Sequence, residues 1–229
     1  YKRFLSNLHS MGLKTTVNLH PASGVRSFED MYEDMAKEMD VDPKSGKRIE
    51  FDITDPKFVN AYFKILHNPY EDNGVDFWWI DWQQGNNTKY DNLDPLWMLN
   101  HFHSLDIMRN GKRPMILSRN SKIAPHRYPV CYSGRTITSW NTLKNLPFYN
   151  SSATNQGIAW WSHDIGGFHR GIEDSELYLR YIQFGVFNPI FILSSDEGKY
   201  YKREPWKWNQ LILNVIEDYM NLRNKLVPY

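Results

Sequence analysis

The stretch VDFWWIDWQQG, residues 75–85, is apolar at nearly every position as far as Ile80 and then sets one carboxylate, Asp81, among three tryptophans. A strand with no polar face is what a parallel sheet covered on both sides requires. An ionised carboxylate buried among indole rings is costly unless something partners it. Asp81 is therefore either a structural aspartate capped by a loop or a reactive carboxylate on an aromatic platform.

Helical and strand-like patterns alternate on both sides of this stretch. Before it, YKRFLSNLHSMG has Phe4, Leu5, Leu8 and Met11 at helical spacing and a stop at Gly12, and LKTTVNLHP reads as a strand ended by Pro21. SFEDMYEDMAKEM predicts a helix capped by Ser27, and DPKFVNAYFKILHNPY a helix opened by Asp55-Pro56. After it come a helix in PLWMLNHFHSLDIMRNG, strands in RPMILSR and RYPVCYSG, and a helix over 139–157 interrupted near Pro147. IAWWSHDIGG predicts a strand into a loop, DSELYLRYIQFGVF a helix, NPIFILSS a strand, and residues 206–228 a long closing helix. Six strands separated by helices, with no linker, predict one α/β domain over residues 1–229, built as an open doubly wound sheet or a barrel. No Gly-rich phosphate loop follows any strand, which disfavours a nucleotide-binding open sheet.

The bulk composition narrows the function classes. Twenty-seven Lys and Arg against 26 Asp and Glu leave a net charge of +1, which predicts no nucleic-acid partner. No apolar run approaches the ~20 residues of a membrane span, so no membrane partner is expected. A single cysteine, Cys131, excludes an internal disulfide. With no signal peptide at the start, it favours a cytoplasmic, reducing compartment. Asn-x-Ser/Thr triplets stand at Asn86 and Asn150. Aromatic residues make up 15% of the chain, which fits either an aromatic core or a carbohydrate site, where sugar C–H faces stack on Trp and Tyr.

In both architectures ligands bind where strands end. The polar residues there are His20, Asp81, Arg119, Ser133 to Arg135, His163, Asp164 and Ser194 to Asp196. Asp81 and Asp164 each follow a tryptophan pair, and two carboxylates in an aromatic cleft are the raw material of glycoside hydrolysis; capping of loop N–H groups is the competing reading. Arg119 fits either a clamp on a ligand or a surface arginine. His163 and Asp164 lack a third ligand at suitable spacing, so no metal and no cofactor is expected.

On GVDFWWIDWQQG and AWWSHDIGGF, with LKTTVNLHPASGV, SRNSKIAPHRYPV, SGRT and LRNKLVPY in the same order, the chain resembles glycoside hydrolase family 31, the retaining α-glucosidases and α-xylosidases. The resemblance implies a (β/α)8 TIM-type barrel of which about six units are present, the first two strands lacking a counterpart. It implies an α-glycoside substrate, with Asp81 as nucleophile. Trp79, Arg119, Trp161, His163 and Asp164 match positions that line the sugar pocket. The missing part of the barrel, or another chain, is the implied partner of otherwise open strand edges.

The sequence departs from the family pattern at three positions. The family's acid/base aspartate lies in Ser-Gly-Asp-Thr, whereas this chain reads Ser133-Gly134-Arg135-Thr136. Arginine stays protonated at any working pH and can serve as neither acid nor base. Ile192 and Ser194 stand where related sequences carry Arg and His. These changes open the alternative of a catalytically inactive relative that binds carbohydrate or is structural.

Overall fold

The computed structural model describes residues 1–81, 88–109, 111–119, 125–128, 130–198 and 202–228. The triplet at Asn86 and the Trp82-Gln83-Gln84 run lie outside the described residues. The chain forms two compact units, Tyr1–Pro129 and Val130–Tyr229.

The first unit contains helix α1 (Lys2–Ser10), strand β1 (Thr16–Leu19), helix α2 (Tyr32–Glu38), helix α3 (Pro56–Ala61) and helix α4 (Asn68–Asp72), then strand β2 (Phe77–Ile80), helix α5 (Pro95–Met108) and strand β3 (Ile116–Arg119). A π-helical stretch, Tyr62–His67, joins α3 to α4. The Asp-Pro signals behave as read: Asp55 accepts from Lys57 N and Asp94 from Leu96 N, each ahead of a proline in the first turn. Ser27 does not cap α2. Turns at Glu29 and Tyr32 delay the helix, which starts after Met31 with no side-chain cap.

All strand pairings here are parallel, with Leu19 opposite Ile80 and Ile80 opposite Ser118. Trp78, Ile80 and Ile116 are buried; Ile80 and Ile116 join a core with Met35, Phe58, Tyr62, Leu99 and Ile107. Side chains alternate along a strand, so Asn18, Trp79 and Leu117 lie on the opposite face.

The second unit contains strand β4 (Cys131–Tyr132), helix α6 (Trp140–Asn155), strand β5 (Trp161–Ser162), helix α7 (Ser175–Gly185) and helix α8 (Gln210–Leu226). Ser139, Asp174 and Asn209 cap the three helices through the N–H groups of Thr142, Leu177 and Ile212. Leu146, Ile165, Tyr181, Ile182, Ile212 and Ile216 form its core. Cys131 is buried, and burial pushes its thiol up to about 11, which disfavours the nucleophilic thiolate.

Two expectations fail in this unit. Helix α6 runs unbroken through Pro147. NPIFILSS forms no strand: only Ile192 makes an isolated bridge, to Asp164. The carbonyls of Val186, Asn188 and Pro189 accept from the Arg223 guanidinium, so a side chain takes the place of a strand neighbour at the start of this segment. Five strands are therefore present among the described residues. Parallel strands alternating with helices agree with the (β/α) barrel class. No helix of the described residues is long and apolar enough to cross a membrane.

Candidate active site

The parallel register of the first unit builds a row. Because Leu19, Ile80 and Ser118 lie side by side, the next residues, His20, Asp81 and Arg119, fall side by side at the C-terminal strand ends. The backbone fixes this arrangement further, Asp81 N donating to Leu19 O at 3.1 Å.

Asp81 has no exposed surface. Asn18 Nδ2 donates to its Oδ2 at 3.2 Å, and His20 Nε2 lies 3.3 Å from the same oxygen. Arg119 Nε donates to Oδ1 at 3.4 Å. Among the described residues, one full positive charge and two polar groups thus help offset the desolvation of a buried carboxylate. The cover is itself wet, since the side chain of His20 is 48% exposed and that of Arg119 31%. Trp79, two residues earlier on the same face, is half-buried.

In the second unit, Cys131 pairs with Trp161 and Tyr132 with Ser162, so Ser133 falls beside His163. His163 Nδ1 is 2.7 Å from Ser133 Oγ, and its Nε2 is 2.7 Å from the side-chain amide of Asn150 and 3.2 Å from Trp161 Nε1. An indole N–H can only donate. Nε2 accepts from the indole, while Asn150 turns its Oδ1 to the same nitrogen and its Nδ2 donates to Asn188 Oδ1 at 2.6 Å, so the two contacts at Nε2 ask for opposite tautomers. Burial pushes His163 down to about 4, which keeps it neutral.

Trp161 packs with Cys131, Ala153 and Ile158, and His163 lies 5.8 Å from the Phe184 ring, so both face the helices α6 and α7. Strand alternation carries Asp164 to the other side. Its carbonyl accepts from Gly167 N at 3.0 Å, and Ile165 N donates to Ile192 O, which pins the turn that follows.

Arg135 is exposed and stacks its guanidinium on Phe168. This is the position at which the resemblance leads one to expect an acid/base carboxylate, and arginine cannot exchange a proton there. Asp196 N bonds Phe168 O, tying the later strand-end segment to the same turn.

Neither Asn18 nor Asn150 was read as a site residue in the sequence, where Asn150 stood only as the start of an Asn-x-Ser/Thr triplet. Asn18 sits inside a strand and Asn150 inside a helix, and only the parallel register and the fold of α6 bring them to Asp81 and His163. Among the described residues no group of three His, Cys, Asp or Glu could hold a metal ion.

Comparison with known proteins identifies the family and the fold. The family model for the glycosyl hydrolases family 31 TIM-barrel domain matches residues 1–229. An α-xylosidase of Saccharolobus solfataricus is 24% identical over the whole chain, which spans 33% of that protein. Among solved structures, the cycloalternan-degrading enzyme from Trueperella pyogenes superposes over all of the chain and 38% of its own length, with a TM-score of 0.82 at 17% identity. A family 31 α-xylosidase from a soil metagenome, solved with xylose, superposes over all of the chain and 40% of its own length, with a TM-score of 0.78 at 22% identity. The chain thus spans about a third of the length of the α-xylosidase relative. It belongs to glycoside hydrolase family 31, a family of glycosidases that cleave O-glycosyl bonds, and forms part of that family's TIM-barrel domain.

Proposed function

We propose that residues 1–229 are one partial barrel domain of a retaining α-glycosidase, acting on an α-glucoside or α-xyloside. In this reading Asp81 attacks the anomeric carbon, the bond to the leaving oxygen breaks, and a glycosyl ester forms on the carboxylate. Water then releases the sugar. In the first unit Trp79 and Arg119 are the sugar contacts; in the second Asp164 keeps its expected sugar-binding role, while Trp161 and His163, expected to line the pocket, hold the Asp164 turn from the helix side. The observation that carries the reading is the row of His20, Asp81 and Arg119 at adjacent strand ends, with a buried carboxylate beneath two half-exposed partners.

Arg135 favours a second reading, a relative that binds carbohydrate without hydrolysing it. With no proton donor at that position, an alkoxide leaving group departs unassisted, and general acid help is worth ~10²–10⁴-fold. An α-glycosyl fluoride separates the readings, because fluoride leaves without a proton. Slow fluoride turnover that disappears in Asp81→Asn supports the glycosidase. No turnover, with saturable sugar binding by calorimetry, supports the silent relative. Neither turnover nor binding overturns both.

A further inference from the structure

The first unit holds a second recess that the row at Asp81 does not use. Between α3 with its π-helical extension and α5 lies a cavity of about 600 Å³, walled by Ile53, Val59, Phe63, Met98, Phe102 and Leu105. That volume suits a small organic molecule, and such sites are mostly apolar with a few placed polar groups. Thr54, Asn60 and Tyr90 also line it, and the charged groups are Asp106 and Arg109 at the end of α5.

The charges at that end do not balance. Arg109 Nη2 donates to Glu71 Oε2 at 3.0 Å, while its Nη1 pairs with Asp106 Oδ2. Glu71 Oε1 is already taken by Trp78 Nε1 at 2.8 Å. One guanidinium is therefore shared by two carboxylates, which leaves one negative charge in excess among these three groups and favours a cation over an anion. Both oxygens of Glu71 are engaged and its side chain is 6% exposed. Asp106 is the carboxylate at the cavity, and its Oδ1 accepts no hydrogen bond among the described residues. Burial raises Asp106 to about 6, with Arg109 opposing and Glu71 adding to the rise, so it is an anion at neutral pH.

We propose that this cavity binds a small primary ammonium with an apolar body, an arylalkylamine or alkylamine, whose N–H groups donate to Asp106 while its ring or chain lies between α3 and α5. A charge-assisted hydrogen bond at the rim fixes the cation, and Phe63 and Phe102 supply aromatic wall. The inference rests on this unit alone and is independent of the glycosidase reading.

The test is titration of the intact protein at neutral pH with phenethylammonium and with phenethyl alcohol, which share a body and differ in charge. Saturable binding is expected, tighter for the ammonium by at least about tenfold. Asp106→Asn abolishes that preference. Leu105→Trp, at a half-exposed position that tolerates change, fills the cavity and weakens both probes. Equal affinity for the two probes, a preference that survives Asp106→Asn, binding unaffected by Leu105→Trp, or no saturation at millimolar concentration each overturns the proposal.

Discussion

Arg135 holds its guanidinium carbon 4.0 Å from the centre of the Phe168 ring. The backbone beneath this contact is tied as well, since the N–H groups of Phe168 and His169 both donate to Thr136 O, at 2.8 and 3.1 Å. The segment that should deliver an acid/base group is thus held against the turn after Asp164, but it carries the wrong side chain.

Arg135→Asp tests whether the missing acid is the main defect. An exposed cation–π contact is worth ~0.5–1 kcal/mol, so the variant is expected to fold with a small loss of stability. Turnover of an aryl α-glycoside should rise on the order of 10²-fold, while that of the fluoride changes little. Aryl glycoside turnover that stays at background removes the acid/base argument.

Buried imidazoles predict a steep acid limb in stability. His67 is pushed down to about 4, chiefly by burial, with the Arg109 charge adding and its bond to the Tyr62 carbonyl opposing. His163 is pushed to the same value by burial. Folded values below the ordinary 6.5 mean that the unfolded chain takes up protons first. Stability is then fully present above about pH 6.5 and falls as pH drops toward 4, by about 3 kcal/mol per imidazole. Urea midpoints at neutral pH and at pH 5 measure the slope, and His67→Gln should flatten it. A midpoint that does not move between those pH values would exclude both imidazoles as its source.

Much of this was readable in the sequence, for identifiable reasons. FWWI announces a parallel strand because neither face is polar, and His20, Asp81 and Arg119 announce a site because each is the polar residue that ends an apolar run. Asn18 and Asn150 carry no such mark, since their partners are 63 and 13 residues away and depend on register and helix phase. NPIFILSS reads as a strand by its apolar run, yet its opening carbonyls go to Arg223, a residue whose reach no local pattern encodes. Pro147 signals a break that the packed helix does not make, with Leu146 and Ala153 buried on either side of it.

The paired glycines of His-Asp-Ile-Gly-Gly allow a controlled comparison. Gly167 has φ +77°, and a Cβ there would lie 2.6 Å from the Thr138 Cα. Thr138 cannot retreat easily, because its N–H bonds His169 O and its hydroxyl accepts from Arg203 Nη2. Gly157 has a nearly equal φ of +79° with open space around it. Gly157→Ala should therefore cost only the left-handed strain, ~1–2 kcal/mol. Gly167→Ala adds a backbone clash and should cost clearly more, with loss of sugar binding. Equal costs in a denaturant titration would refute the wedge.

Two substitutions decide whether Asp81 is kept for stability or for chemistry. Arg119 is a full positive charge beside a carboxylate with no exposed surface. Removing the cation breaks a buried ion pair, which costs about 3–5 kcal/mol. Arg119→Met should therefore destabilise strongly. Asp81→Asn keeps shape and removes the buried charge, while Arg119 and His20 can turn to solvent, so it should be near neutral or stabilising. Active-site charges characteristically trade stability for function in this way. If Asp81→Asn instead costs more than Arg119→Met, the carboxylate is a structural tie between strand ends, and the nucleophile assignment loses its physical basis.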